Sequence, residues 1–224
     1  MEFALFVLDY DGYYRLEIAG GYCDGNCGVC RKCTNNRNIV TLIKEENAEF
    51  YQKYVLDHQI RTAELCKKAA EALFLTESKR EIFIQSALLH DVGKLLIPFD
   101  VLSKNGALSP FERRIIKLHP SKGAEWLRER GFSEEITAVI EAHHERVDGL
   151  GYPNGLKGDE IPFLARVLAV CDTADAVISG RHYRAAFDKR AVIEELLRNS
   201  GSQFDPMVVR TMIEIIHEEE IANV

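Results

Sequence analysis

His90 and Asp91 stand side by side at the end of an apolar helical run, Ala87-Leu88-Leu89, with Gly93 and Lys94 just beyond them. Adjacent helical residues point about 100° apart. An imidazole and a carboxylate so placed can splay around two neighbouring ions, while Lys94, one turn on, offers a mobile positive charge to a phosphate. A lone His-Asp pair also occurs as a plain helix-end hydrogen bond, so the chemistry depends on what accompanies it. His58, His119, His143, His144 and Asp172 do, each on the inward stripe of an expected helix or at its end. Five of the chain's 7 histidines then face the interior on successive helices, which independent packing does not explain.

Imidazole and carboxylate donors without thiolate suit iron, manganese or zinc, and this many donors exceed the needs of one ion. Two ions a few ångströms apart lower the pKa of a shared water towards ~7 and clamp phosphoryl oxygens during in-line displacement. The expected chemistry is phosphoester hydrolysis. Lys94 is the phosphate counter-charge, and Arg181 and Arg184 can hold more phosphate. Asp175, one turn after Asp172, is a carboxylate that orients a ligand or the attacking water. His182 and His217 show no partner pattern and are read as structural.

The elements that must position these residues are mostly helices. From Glu46 onward Tyr51, Val55, His58, Thr62, Leu65, Ala69 and Leu73 fall on one stripe at alternating steps of four and three. A second helix is expected from Lys79 to Leu95, with Phe83, Ala87, His90 and Lys94 on one face. Ser109-Pro110-Phe111-Glu112 has the parts of a capping box with proline in the first turn; that helix is expected to run to His119, where Pro120 breaks it. Ser133 caps another, with Ile136, Ile140 and His143 or His144 on one side. The stretch from Asp148 to Gly158 holds Gly149, Gly151, Gly155 and Gly158 and reads as a surface lip beside the histidines. Ile161 to Ser179 is almost wholly apolar apart from Arg166, Asp172 and Asp175, and its inward aspartates need a cation. Helices from Asp188 to Asn199 and from Asp205-Pro206 towards Glu219 close the chain.

Ahead of the helices, Phe3 to Tyr10 and Tyr13 to Ala19 are rich in aromatic and branched residues around Asp11-Gly12, the signal of a two-residue hairpin. Ile39 to Ile43 can add a third strand. Between them lie Cys23, Cys27, Cys30 and Cys33, a crowding that points to metal, zinc ahead of an iron-sulfur cluster, and otherwise to a redox-sensitive or unliganded loop.

A chain of 224 residues that is 46% hydrophobic and 28% charged is long enough for one buried core plus a small appendage. A net charge of -7 argues against a broad nucleic-acid surface, which must neutralise many phosphates, but not against a small phosphate ligand. No apolar run approaches the ~20 residues that span a bilayer, and Met1-Glu2-Phe3-Ala4-Leu5 lacks a signal peptide's basic start. A cytoplasmic protein without a membrane partner is expected. A homo-oligomer is left open.

From His58 to about Val209 the chain resembles an HD-GYP domain, the branch of the HD phosphohydrolases that cleaves cyclic dinucleotides. The resemblance rests on His58 with Arg61, His90-Asp91-Val92-Gly93-Lys94, Lys104-Asn105-Gly106, His119-Pro120, His143-His144-Glu145, Asp148-Gly149-Leu150-Gly151-Tyr152-Pro153, Ala169-Val170-Cys171-Asp172 with Asp175, and Phe204-Asp205-Pro206. It implies a mainly α fold, an HD-type helical bundle over residues 46–224, preceded by a small β-hairpin and cysteine-rich unit over 1–45. It implies two or three iron or manganese ions and hydrolysis of cyclic di-GMP to the linear dinucleotide, GMP or both, by a hydroxide activated between the ions. The family's metal ligands fall on His58, His90, Asp91, His119, His143, His144 and Asp172, its phosphate lysine on Lys94, its substrate arginines on Arg181 and Arg184, with Tyr152 at the mouth. Family members with a third metal carry a glutamate where this chain has Tyr54, so two ions are expected. The alternatives are an HD hydrolase of another phosphoester or mixed cyclic dinucleotide, and a cyclic di-GMP receptor that does not cleave.

Overall fold

The computed structural model describes residues 4–10, 13–19, 43–44, 50–179 and 189–221. Cys23, Cys27, Cys30, Cys33, Arg181, His182 and Arg184 lie outside the described residues. Strands β1 (Ala4–Tyr10) and β2 (Tyr13–Ala19) pair antiparallel, Tyr10 opposite Tyr13, as the two-residue Asp11-Gly12 connection requires. β3 (Ile43–Lys44) lies against the start of β2, at the very end of the run expected to form a third strand.

The rest is helical. A π-helical turn, Gln52–Leu56, leads into α1 (Asp57–Ala72); then come α2 (Glu77–Leu89), a 3-10 turn (Val92–Leu96), α3 (Phe99–Leu102), α4 (Pro110–Ile116), α5 (His119–Glu129), α6 (Glu134–Ala142), α7 (Phe163–Ser179), α8 (Lys189–Asn199) and α9 (Pro206–Ile221). Both capping-box bonds of Ser109 and Glu112 are present, and Ser133 accepts from the Ile136 amide. Among the described residues no helix is long and apolar enough to cross a membrane.

Two boundaries differ from the sequence reading, and both matter for the site. α2 stops at Leu89, so His90 sits in a turn and Lys94 in the tighter 3-10 segment. The break expected at His119 falls before it: α4 ends at Ile116 and His119 opens α5. The reason is that Pro120 lacks an amide proton, which costs nothing in a helix's first turn and one bond in its interior.

α7 is the central element. Ala165, Val167, Leu168, Val170 and Cys171 are fully buried, among Cys66 and Ala70 of α1, Phe83 and Ala87 of α2, Leu196 of α8 and Phe204 and Met212 near and in α9. A helix apolar on all sides has to be enclosed in this way. A second cluster, Leu56, Leu89, Val92, Leu127, Ile136 and Ile140, locks the 3-10 turn against α5 and α6. There the backbones touch, because a Cβ added to Gly93 would lie 1.9 Å from the His119 carbonyl oxygen and 2.7 Å from the Gly123 nitrogen. Only glycine permits that approach, and it sets the His90-Asp91 turn directly against the start of α5.

Candidate metal centre

The last carbonyls of a helix have no intrahelical amide to accept from. Three of them here take a histidine instead: Nδ1 of His90 lies 2.7 Å from Ala87 O, Nδ1 of His119 2.8 Å from Ile116 O, and Nδ1 of His143 2.5 Å from Ile140 O. A carbonyl only accepts, so each Nδ1 carries a proton; in the neutral ring Nε2 then keeps its lone pair, the form that binds metal. His58, from the first turn of α1, is fixed by a carboxylate: its Nδ1 is 2.6 Å from Asp175 Oδ2, and Asp175 also takes Arg61 Nε at 2.8 Å and the Ser179 hydroxyl at 3.3 Å. Asp175 therefore reaches the centre through His58, while Asp172, one turn earlier on α7, reaches it directly.

The inward atoms converge. His58, His90 and Asp172 each offer a donor within 4.8 Å of the others; so do His119, His143 and His144; and His90, Asp91 and His143 form an overlapping third set. Asp91 lies between the first two. Its Oδ2 is 3.5 Å from His90 Nε2 and 3.8 Å from His58 Nε2, and its Oδ1 is 3.2 Å from His119 Nε2.

Lone pairs face one another across this space. His119 Nε2 and His143 Nε2 are 3.3 Å apart although both protons are committed to backbone carbonyls. His90 Nε2 and Asp91 Oδ1 are buried without a hydrogen-bond partner. Orphaned buried acceptors are costly, and acceptors turned towards each other ask for a cation. Nitrogen and oxygen donors without sulfur fit iron, manganese or zinc. The residues present fit a pair of such ions, one in each set with Asp91 shared.

The electrostatics hold the donors in their binding forms. Burial pushes His90, His143 and His144 down, His144 to about 3, so they are neutral at pH 7. Burial alone would raise Asp91, but the Lys94 ammonium outweighs it and keeps the carboxylate charged; burial is likewise outweighed at Asp172 by the hydrogen bond from His58. His58 differs: burial lowers it, yet its bonds to Asp172 at 2.9 Å and Asp175 push it up to about 9. Lys94 Nζ rests on Asp91 Oδ2 at 2.5 Å, held charged by that carboxylate against the opposing effect of burial.

The glycine-rich lip is held by a residue whose part the sequence reading did not identify. Glu145 is buried, and its carboxylate accepts from the amides of Asn154 at 2.6 Å, Gly155 at 3.1 Å and Leu156 at 3.0 Å. Its signal was an acidic residue directly between two inward histidines and the loop. A Cβ on Gly151 would lie 2.4 Å from the Arg146 nitrogen, so the loop folds back tightly over the end of α6. This sets the Tyr152 ring 4.9 Å from the His144 imidazole, tilted by 30°. Tyr54, one turn before His58, is exposed and packs in an aromatic cluster, 4.8 Å from the Phe50 ring.

Comparison with known proteins places this centre in context. A family model described as HD domain matches residues 40–208. The chain is 39% identical over 155 residues to the cyclic di-GMP phosphodiesterase response regulator of Xanthomonas campestris pv. campestris, covering 68% of this chain and 41% of that protein. It is 35% identical over 159 residues to a 3'3'-cGAMP-specific phosphodiesterase of Vibrio cholerae, covering 70% and 30%. The chain thus spans less than half the length of these curated relatives. Among solved structures, an HDG"Y"P protein from Bdellovibrio bacteriovorus superposes with a TM-score of 0.61 at 22% identity, covering 77% of this chain and 56% of that one. The phosphodiesterase PgpH HD domain of L. monocytogenes, in complex with cyclic-di-AMP, gives 0.52 at 18%, covering 73% and 90%. At these identities the two structures speak to the fold alone.

Proposed function

The chain belongs to the HD domain family, and from that premise we propose that it is a metal-dependent phosphodiesterase that hydrolyses cyclic di-GMP to the linear dinucleotide, GMP or both. The observation that carries the reading is the pair of three-donor sets with Asp91 between them, because two adjacent sites suit the in-line displacement of a phosphodiester. When bound, two iron or manganese ions would supply an acidified water and a clamp for the phosphoryl oxygens.

The chain's own residues do the rest. His58, His90 and Asp172 would hold one ion, His119, His143 and His144 the other, and Asp91 would serve both. Asp175 and the three carbonyls keep the imidazoles in register. Lys94 is the cation available to a phosphate oxygen, its ammonium already beside the shared carboxylate. Tyr152, on the lip, narrows the mouth and excludes water from one side. Arg181 and Arg184 belong to the proposal as further phosphate-binding residues.

The direct test is to incubate the metal-loaded protein with cyclic di-GMP and follow linear dinucleotide and GMP. No turnover with either iron or manganese, with binding retained, would leave a receptor. A second reading, cleavage of a mixed cyclic dinucleotide, is favoured by the name of the Vibrio cholerae relative; equal concentrations of cyclic di-GMP and 3'3'-cGAMP in one reaction decide between them.

The amino-terminal unit, residues 1–45, is proposed to be separate from the hydrolase, with Cys23, Cys27, Cys30 and Cys33 holding zinc or an iron-sulfur cluster. Elemental analysis of protein purified without air counts both sites. A cytoplasmic location, with no membrane or nucleic-acid polymer as partner, belongs to the same proposal.

A further inference from the structure

Lys117 ends α4, its amide donating to Arg113 O at 3.0 Å, and the residue before it supplies the carbonyl that fixes His119. Its backbone is therefore as firmly placed as that metal-ligand candidate. Its side chain is exposed, and Nζ lies 4.8 Å from the centroid of the Tyr152 ring, which in turn stacks on His144. Lys117 thus touches the outer side of the lip through the ring that neighbours His144.

Lys53 and Arg114 also rest on ring faces, those of Tyr54 and Phe111, but Lys117 rests on the ring beside His144. Lys94 sits on Asp91, Arg61 on Asp175, Lys104 on Glu112 and Arg146 on Asp148, each with a carboxylate. Lys117 makes no ion pair among the described residues, and its ammonium meets only the face of an aromatic ring. A ring face holds an exposed ammonium less strongly than an anionic oxygen does. A phosphate arriving at the lip could therefore draw the ammonium off Tyr152 without breaking a salt bridge.

A cyclic dinucleotide carries two phosphodiesters on opposite sides of one ring. When one lies at the paired donor sets beside Lys94, the other must lie further out, towards the rim. Resting on the function proposed above, we propose that Lys117 is a positioning residue that binds the second, unreacting phosphodiester of the cyclic dinucleotide. Tyr152 then acts as its resting place: the ring keeps the ammonium at the mouth and gives it up when substrate enters. This makes Lys117 a determinant of preference for a substrate with two phosphates over one with a single phosphodiester.

The test uses the full metal-loaded chain as wild type, Lys117→Ala and Lys117→Arg. Steady-state kinetics on cyclic di-GMP is combined with equilibrium dialysis of its phosphorothioate analogue and with measurement of bound metal. The expected result for Lys117→Ala is a rise of about tenfold in both KM and the dissociation constant, the loss of one charge-assisted contact. kcat and metal content should hold, the dependence of KM on salt should weaken, and Lys117→Arg should restore most of the affinity. An unchanged dissociation constant overturns the proposal, as does a parallel fall in kcat or metal content, which would make Lys117 a structural part of the lip. If the wild type binds without cleaving, the dialysis result alone decides Lys117 and only the hydrolytic reading fails. If it neither binds nor cleaves, both fail.

Discussion

Asp175 holds the outer edge of His58 at 2.6 Å while Arg61 and Ser179 hold Asp175 in turn, so one imidazole is oriented by a chain of contacts spanning α1 and α7. Replacing Asp175 by Asn should leave helix content unchanged and weaken metal binding at the His58 side by roughly 10–100-fold, the usual cost of losing such a support. Competition with a chelating dye measures this. Activity should recover at high metal concentration, because the ligand itself remains.

The histidines give the metal-free protein a stability that peaks in pH. His90, His143 and His144 are pushed down by burial, so below the unfolded value of about 6.5 the unfolded chain takes up more protons and stability rises with pH. His58 is shifted the other way: its contribution is whole below about 6.5 and is lost as pH rises through about 9. In chelator, urea midpoints should therefore climb to a maximum near pH 6.5 and then fall, the second limb being on the order of 3 kcal/mol. Asp172→Asn should flatten that limb. With metal the sign reverses there, because binding must displace the His58 proton, and affinity should increase up to pH 9.

Gly93→Ala should act on the site through the backbone. With the Cβ meeting the His119 carbonyl and the Gly123 amide, the 3-10 turn has to move off α5, taking Asp91 and Lys94 with it. A loss of about 3 kcal/mol in chemical denaturation and of metal stoichiometry together is expected. Gly106→Ala, where an added Cβ meets nothing within 4 Å but the φ of 119° strains any side chain, should cost stability and leave metal stoichiometry intact.

Glu145→Ala strands three loop amides that now share one buried carboxylate. Each unsatisfied donor costs about 1–3 kcal/mol unless water reaches it, so the lip should open rather than stay dry. Limited proteolysis should cut between residues 149 and 156, and hydrogen exchange there should accelerate. Exchange in α7 should stay slow. Protection of the loop equal to that of the wild type would show that it does not depend on this carboxylate.

The residue types and their periods fixed much of this in advance. Ser109, Pro110 and Glu112 start α4 through bonds made within four residues, Ser133 does the same for α6, and the stripe through Val55, Thr62 and Ala69 is buried as its spacing demanded. Inward histidines on successive helices pointed to a shared ionic centre because a buried imidazole must find a partner wherever the helices go. Local bonds and periodicity are properties of short segments, so a sequence can state them.

What the sequence left open depends on approaches between segments far apart in the chain. Lys94 looked like a helical neighbour of His90 one turn on, yet the helix stops at Leu89 and a tighter turn follows, with Val92 in one cluster with Leu127 and Ile140. Which nitrogen of His58, His90, His119 and His143 turns inward was decided by orphan carbonyls at helix ends and by Asp175, 117 positions away from His58. That Asp91 faces both donor sets, that Glu145 fastens the lip and that Lys117 rests on Tyr152 were likewise set by tertiary packing. Distances between helices depend on how whole faces interlock, and no local pattern records them.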